Sequence, residues 1–492
     1  MKSFAKVLFI LIFTITLYNC TKEDEIPVDI EINDFIWKAM NAYYLYQDQI
    51  PDLSDRRFNS QPELNSYLRR FENPNELFIS LLYDRPATDN KSLLIDDFNT
   101  ITTPTPRTSV TNGIEYGIIA EPGSLTNVIG YVHYILPNTN ASSKSIARGD
   151  FFYGVNDTQL TRDNYQSLLE SVNDYTLNMA IFDGTKVEED SIINAGIKVP
   201  RKISFSKSGY THLPIAMSKI IPNGTSNVGY LLYNNDFSNN YINDLNNTFL
   251  QFKNQNVTNL ILDVRYNVGG GSFVENINQI ASMITGQFND QILLKERWNS
   301  KAQPWFQLHQ PDSLNTKFTT KINATTNINS LNLTDLYLIM NGSSSSLELL
   351  INSLRGYINV HIINSGPTAG NNTGSITLYN SIDYDSIGKS NNHTVAVQPI
   401  VLEFLNANDQ TYANGFTPDL RICNQEDILN LGVIGEVTEP ILREALNMIN
   451  GNIPNPPSVC NPNNFEFLYN SLRRQRIVDT GIFIKQNLPN TN

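Results

Sequence analysis

The sequence predicts a multidomain α/β protein: a helical N-terminal region, a small β-rich unit, a larger α/β core on a largely parallel sheet, and a tail. Three observations carry that expectation. The chain has 492 residues, which at roughly 100–200 residues per domain is too long for one domain. Apolar residues make up 40% and aromatic residues 10%, enough to fill real cores. The hydrophobic pattern changes along the chain, from a period near 3.6 to short β-like runs and then to alternating strands and helices.

Residues 1–19 read as a lipoprotein signal peptide. Lys2 and Lys6 precede an apolar run from Val7 to Leu17 that is too short to span a bilayer. Leu17-Tyr18-Asn19-Cys20 resembles a lipobox, in which Cys20 is acylated and becomes the mature N-terminus. The polar Thr-Lys-Glu-Asp-Glu that follows suits a tether. An ordinary secretory signal with a chance Cys is the other reading. The expectation is a chain anchored by lipid on the periplasmic or surface side of an outer membrane. In that oxidising compartment Cys423 and Cys460 either bridge or stay as two thiols.

Residues 20–110 form a helical region and linker. Phe35, Ile36, Met40, Tyr44 and Leu45 recur at helical spacing, as do Leu64, Tyr67, Leu68 and Phe71, and a Thr/Pro-rich stretch ends the region. From 113 to 190 short β-like runs dominate. Tyr116-Gly117-Ile118-Ile119 and Ile129-Gly130-Tyr131-Val132 read as strands, followed by a Pro-containing turn, Arg148-Gly149-Asp150, Val155-Asn156-Asp157 and a helix-like run from Asp163. That order resembles a PDZ domain, a module that adds an extended peptide to a sheet edge. The resemblance implies a carboxylate loop at Tyr116, Gly117 and Ile118. A generic small β domain remains the alternative.

Residues 201–447 alternate strands and helices, and 448–492 form a Pro/Asn-rich tail. Two strand–turn–helix units stand out in the core. Asn259–Val264 (NLILDV) leads into Val268-Gly269-Gly270-Gly271-Ser272, and Asp335–Met340 (DLYLIM) leads into Asn341-Gly342 and four serines. Glycines between a buried strand and a helix bare their N–H groups where the helix dipole favours negative charge. No GxxxxGK[ST] or GxGxxG pattern is present, so an oxyanion hole suits the glycines better than a phosphate loop. A Ser at the second turn can present its hydroxyl above the sheet as a nucleophile, or can simply cap a helix.

The formal charge of −13 argues against nucleic acid as a partner, since phosphate binding needs a basic surface. No Cys or His spacing resembles a metal site, and no cofactor motif is present. The expected partners are a protein or peptide substrate and, through the anchor, a membrane.

Taken in order, LILDVRYNVGGGS, NGSSSSLELLINSLRGY, GPTAGNNTGS and TYANGFTPD are similar to the motifs of the C-terminal processing, or tail-specific, serine peptidase family. The resemblance spans residues 30–447. It implies a core related to the ClpP and crotonase fold, a PDZ-like domain ahead of it, and cleavage through an acyl-enzyme, with recognition of the substrate's C-terminus. It points to Ser345, three residues before Glu348, as nucleophile. Ser346 and Gly269 or Gly270 then supply the oxyanion donors, and Tyr412, Gly415, Pro418 and Asp419 match a structural segment.

One position departs from the family. Its general base is a Lys in a Thr-x-Gly-Lys turn, and here Thr368-Ala369-Gly370 is followed by Asn371. An amide cannot accept a proton near neutral pH. Lys389, His361 and His393 are the nearest substitutes, and each reads more simply as loop charge or packing. Two expectations follow: a lipid-anchored serine endopeptidase, or a pseudo-peptidase that keeps the fold and binds polypeptide.

Overall fold

The computed structural model describes residues 26–100, 108–235, 237, 239–267, 272–423, 425–452, 465–474 and 482–484. The signal peptide and Cys20 lie outside them. Helix α1 (Glu31–Tyr43) opens the described chain. Its apolar face, with Phe35, Ile36, Ala39 and Met40, is buried with Leu64, Leu68 and Phe78 of two shorter helices. Those residues belong to the same core cluster as Leu260, Leu336 and Leu350. The helical region is therefore not a separate globule. Local periodicity reveals an amphipathic face but not what covers it.

The β-rich unit contains β1 (Ile114–Ala120), β2 (Val128–Ile135), β3 (Phe151–Val155), α2 (Tyr165–Glu170), β4 (Asp174–Phe182) and β5 (Lys202–Ser206). The sheet order is β5-β4-β3-β2-β1, and a strand from the far end of the chain follows β1. Strand pairing thus carries this unit past residue 190. Ser208–Thr211 also pairs back onto Thr108–Thr111, so the α/β core begins after residue 211. The strands in this stretch are edge-like and polar, which hid the pairing from the pattern.

The core sheet runs β6 (Ile215–Asn223), β7 (Ser226–Tyr233), β8 (Val257–Asp263), β11 (Asp335–Ile339), β12 (Asn359–Asn364) and β15 (Leu420–Arg421). Only the first pair is antiparallel. In a second sheet, β9 (Ser272–Phe273) comes first, then the terminal strand β17 (Ile482–Phe483), β13 (Thr373–Ser375), β14 (Ile400–Asn406) and β10 (Ile292–Trp298). Helices α3 (Val274–Ile284) and α4 (Ser345–Arg355) pack against each other between the sheets. Two described parts of the tail join the sheets: β16 (Phe467–Asn470) completes the β-rich sheet beside β1, and β17 enters the second core sheet.

A buried ionic cluster joins the β-rich unit to the core. The Arg265 guanidinium meets Asp263 at 2.7 Å, Glu439 at 2.8 Å and Glu426 at 3.1 Å. Glu426 also takes Arg148 at 2.6 Å and His133 at 3.0 Å from the β-rich unit, and accepts the Tyr266 hydroxyl at 2.8 Å. Burial alone would raise the Glu426 pKa. The Arg148 charge, the His133 hydrogen bond and the Arg265 charge outweigh it and hold the carboxyl well below the usual range.

Candidate active site

Strands β8 and β11 are neighbours in the parallel sheet, so the turns after them open at the same edge. In such sheets that edge, beyond the carboxyl ends of the strands, is where ligands bind. After β11 the chain turns at Gly342, whose φ is +113°. The Asn364 side chain holds that turn, accepting from the Gly342 amide at 2.9 Å and donating to the Gly342 carbonyl at 3.0 Å. Ser344 is extended, and Ser345 is the first residue of α4. The serine that carries the predicted chemistry therefore sits at a helix N-terminus, where backbone N–H groups lack helical partners. Ser345 and Ser346 are both buried, and the Ser344 and Ser346 hydroxyls are 3.0 Å apart.

Asn371 is brought to this helix end by Glu348. The fully buried Glu348 carboxylate accepts the Gly370 amide at 2.6 Å and the Asn371 amide at 3.1 Å. Ser345 and Glu348 lie one helical turn apart on one face, so the Thr368–Asn371 turn lies over the first turn of α4. The Ala369 amide donates to the Ser343 hydroxyl at 2.7 Å and closes the arrangement. Beneath it, Gly370 has φ +83° and a Cβ there would come within 2.2 Å of the Ala413 carbonyl oxygen. Gly415 approaches the Thr368 carbonyl as closely, and the Phe416 amide donates to the Thr368 hydroxyl at 2.8 Å. Asp419 accepts the Ile362 amide at 2.7 Å, which fits the structural part expected of its segment.

Gly269 and Gly270 lie outside the described residues. The residues on either side are described. Arg265 and Tyr266 are fixed in the ionic cluster, and Ser272 begins β9. Strand β17 then bridges the two halves of the site. It lies parallel to β9 on one side, Ile482 opposite Ser272, and parallel to β13 on the other, Ile482 opposite Gly374. Sequence reading missed this strand, since a two-residue pairing leaves no period to detect.

None of the substitute bases is engaged at this helix end. His361 stacks on Tyr337 at 4.5 Å and meets Asp335 at 3.1 Å, at the start of β11 and the opposite end of the sheet from Ser345. His393 lies 3.0 Å from the Asn380 amide and packs on Phe35, and burial lowers its pKa. The Lys389 ammonium rests 4.1 Å over the Phe98 ring.

Tyr116, Gly117 and Ile118 lie within β1 and not in a loop, because they pair with β2 at Val132, Tyr131 and Gly130, and β16 runs along the other edge. Cys423 is disulfide-bonded, while Cys460 falls outside the described residues.

Residues 31–90 match the peptidase S41 N-terminal domain, and residues 227–422 match peptidase family S41. No curated protein matches the sequence. Among solved structures, a protein from Bacteroides fragilis assigned to the S41 proteases is 20% identical with a TM-score of 0.58, over 85% of this chain and 97% of that one. The likeness is one of fold. The photosystem II D1 C-terminal processing protease is 14% identical with a TM-score of 0.41, over 81% and 94% of the two chains.

Proposed function

Because this chain belongs to peptidase family S41, we propose that it is a serine endopeptidase of the C-terminal processing type, with Ser345 as nucleophile. The observation that carries the reading is the junction at the start of α4. There Ser345 opens the helix, Glu348 draws the Thr368–Asn371 turn over it, and the neighbouring strand leads into the glycines. The core is read as ClpP/crotonase-like and the β-rich unit as a PDZ-like module that presents polypeptide. Residues 1–19 are read as a signal peptide and Cys20 as the lipid site, which places the enzyme on an outer membrane. Loss of palmitate labelling in Cys20→Ala is the expected result.

In this mechanism the Ser345 Oγ attacks a peptide carbonyl carbon, and the carbonyl oxygen takes the charge. The Ser346 N–H and that of Gly269 or Gly270 are the donors assigned to it, each contributing about 3–4 kcal/mol in the transition state. The C–N bond then breaks, the amine leaves with a proton, and water cleaves the Ser345 ester. Proton removal from Ser345 is the weak step, because Asn371 offers no base where the family has Lys. Slow hydrolysis that rises with pH is expected. The absent Lys is also the one observation that favours the second reading, a polypeptide-binding pseudo-peptidase. The test is hydrolysis of an unfolded protein substrate by wild type and Ser345→Ala, with labelling by a fluorophosphonate. Loss of both in Ser345→Ala is expected. Cleavage that survives the substitution would remove Ser345 from the mechanism, and a wild type that neither cleaves nor labels would leave the binding reading.

A further inference from the structure

The groove between β1 and α2 already holds a peptide, and it is the chain's own. Strand β16 lies antiparallel to β1, with Phe467 opposite Ile119, Tyr469 opposite Ile118 and Asn470 opposite Gly117. The Ala120 amide donates to the Glu466 carbonyl at 2.9 Å. The Tyr469 ring sits 5.6 Å from Tyr116 on the strand and 5.8 Å from Tyr165 on the helix, and its hydroxyl donates to Glu170 of α2 at 2.7 Å. Arg162, just before α2, forks onto the Glu466 carboxylate. Main-chain pairing supplies affinity here and the alternate side chains supply selectivity, as in strand addition to a sheet edge.

The end of this segment differs from a chain terminus. Ser471 accepts the Tyr116 amide at 2.9 Å and donates its own proton to the Glu115 carboxylate at 2.6 Å. Both Ser471 and Glu115 are buried, at 6% and 1% exposure. A chain that ended at Ser471 would place its terminal carboxylate next to that hydroxyl and to Glu115. It would set a second negative charge beside the first, out of water. Nor does the chain stop there: Leu472 lines a cleft together with Tyr134, Tyr210, Pro214 and Tyr266. Tyr266 neighbours the glycine segment, and the same tail places β17 between β9 and β13.

We propose that the groove between β1 and α2 binds an internal extended segment with an aromatic residue two positions before a hydroxyl residue, that it excludes free C-terminal carboxylates, and that residues 466–471 fill it in the resting protein. The inference rests on reading the β-rich unit as a peptide-binding module. It narrows that module's ligand class and makes the tail a competitor of any substrate.

The experiment uses the full chain with Phe467→Ala, Tyr469→Ala and Ser471→Ala together, and two fluorescent peptides. One spans residues 463–474 with both ends capped, and the other stops at Ser471 with a free carboxylate. Wild type should bind the capped peptide about ten-fold or more weaker than the tail variant, and the tail variant should prefer the capped peptide by a similar factor. Adding Glu115→Gln should erase most of that preference. Equal binding by wild type and tail variant would overturn self-occupancy. Preference for the free carboxylate would overturn the selectivity and leave the module reading standing. A tail variant that melts cooperatively and binds neither peptide would sink both. Should the triple variant not fold, Tyr469→Ala alone carries the same expectations. In the unaltered chain, the Tyr116 and Ala120 amides should exchange slowly with deuterium and speed up in Tyr469→Ala; fast exchange in wild type would count against the occupant.

Discussion

Two strand ends lie side by side in the core sheet and are held by opposite means. Beyond β8, Arg265 is sunk among Asp263, Glu439 and Glu426, with Arg148 and His133 reaching in from the β-rich unit. Beyond β11, the serine turn is held by the Asn364 amide, the Ser343 hydroxyl, a glycine-tight fit and the Glu348 carboxylate. Charge therefore fixes the end of β8, while backbone amides and shape fix the serine side. A buried ion set is costly to break but is not itself strong evidence of net stability. Hydrogen bonds to backbone are weaker singly, yet they place Asn371 whatever side chain it carries.

The contrast breaks most visibly at Arg265. Arg265→Met leaves Asp263, Glu426 and Glu439 without their shared cation in a site closed to water, and should lower stability by about 3–5 kcal/mol in urea unfolding. A loss under about 1 kcal/mol would mean that the acids relax or protonate at no cost. Acid should find the same side first. The Glu426 pKa is held well below its unfolded value, so its contribution is full above that value, near pH 4.3–4.5, and is lost as pH falls toward the folded one. Urea midpoints should fall below pH 4.5, and the fall should flatten in Glu426→Gln.

On the serine side the largest effect should come from shape. Gly370→Ala must hold φ near +83° and put a methyl into the Ala413 carbonyl, which should cost about 2–4 kcal/mol. Its signature would be lower stability with the Glu426-linked acid transition still in place, since no ion pair is touched.

Much of this contrast could be read in the chain, and the remainder has physical reasons for being hidden. The strands NLILDV and DLYLIM are unbroken apolar runs before small-residue turns, so both units and their common edge follow from local pattern. Ser345 and Asn371 came from motif resemblance, and the structure puts the Asn371 backbone on the helix that Ser345 starts. The acceptor that does this, Glu348, was visible only as a spacing marker. A Glu one turn inside a helix reads as a cap and gives no sign that a distant turn supplies its donors. The ionic cluster draws on residues 133, 148, 263, 265, 426 and 439, a set scattered along the chain apart from the Asp263–Arg265 pair. The tail's strands are too short to carry a period, and α1 shows an apolar face without naming the core it shares.

Glu348 itself should fall between these extremes. In Glu348→Gln one carboxylate oxygen becomes an NH2 that faces a backbone N–H, so one hydrogen bond survives and a buried donor loses its acceptor. A cost of about 2 kcal/mol is expected, with the 368–371 turn exchanging hydrogen faster. Unchanged exchange would show that Gly370 and Gly415 hold the turn without it.

The smallest stability effect, and the sharpest use of the contrast, belongs to Asn371→Lys. The turn is anchored through the Asn371 amide and not through its half-buried side chain, so stability should move by no more than about 0.5 kcal/mol. The variant places a cation on the side of the site that is otherwise held without one, beside the helix end where Ser345 sits. If that side lacks only a base, hydrolysis should rise, and the gain should grow with pH as the new amine loses its proton and becomes able to take that of Ser345. The rise should vanish in Ser345→Ala/Asn371→Lys. A stable Asn371→Lys chain with no gain at any pH would mean that the serine turn, well ordered as it is, is built to bind a peptide and not to cut it.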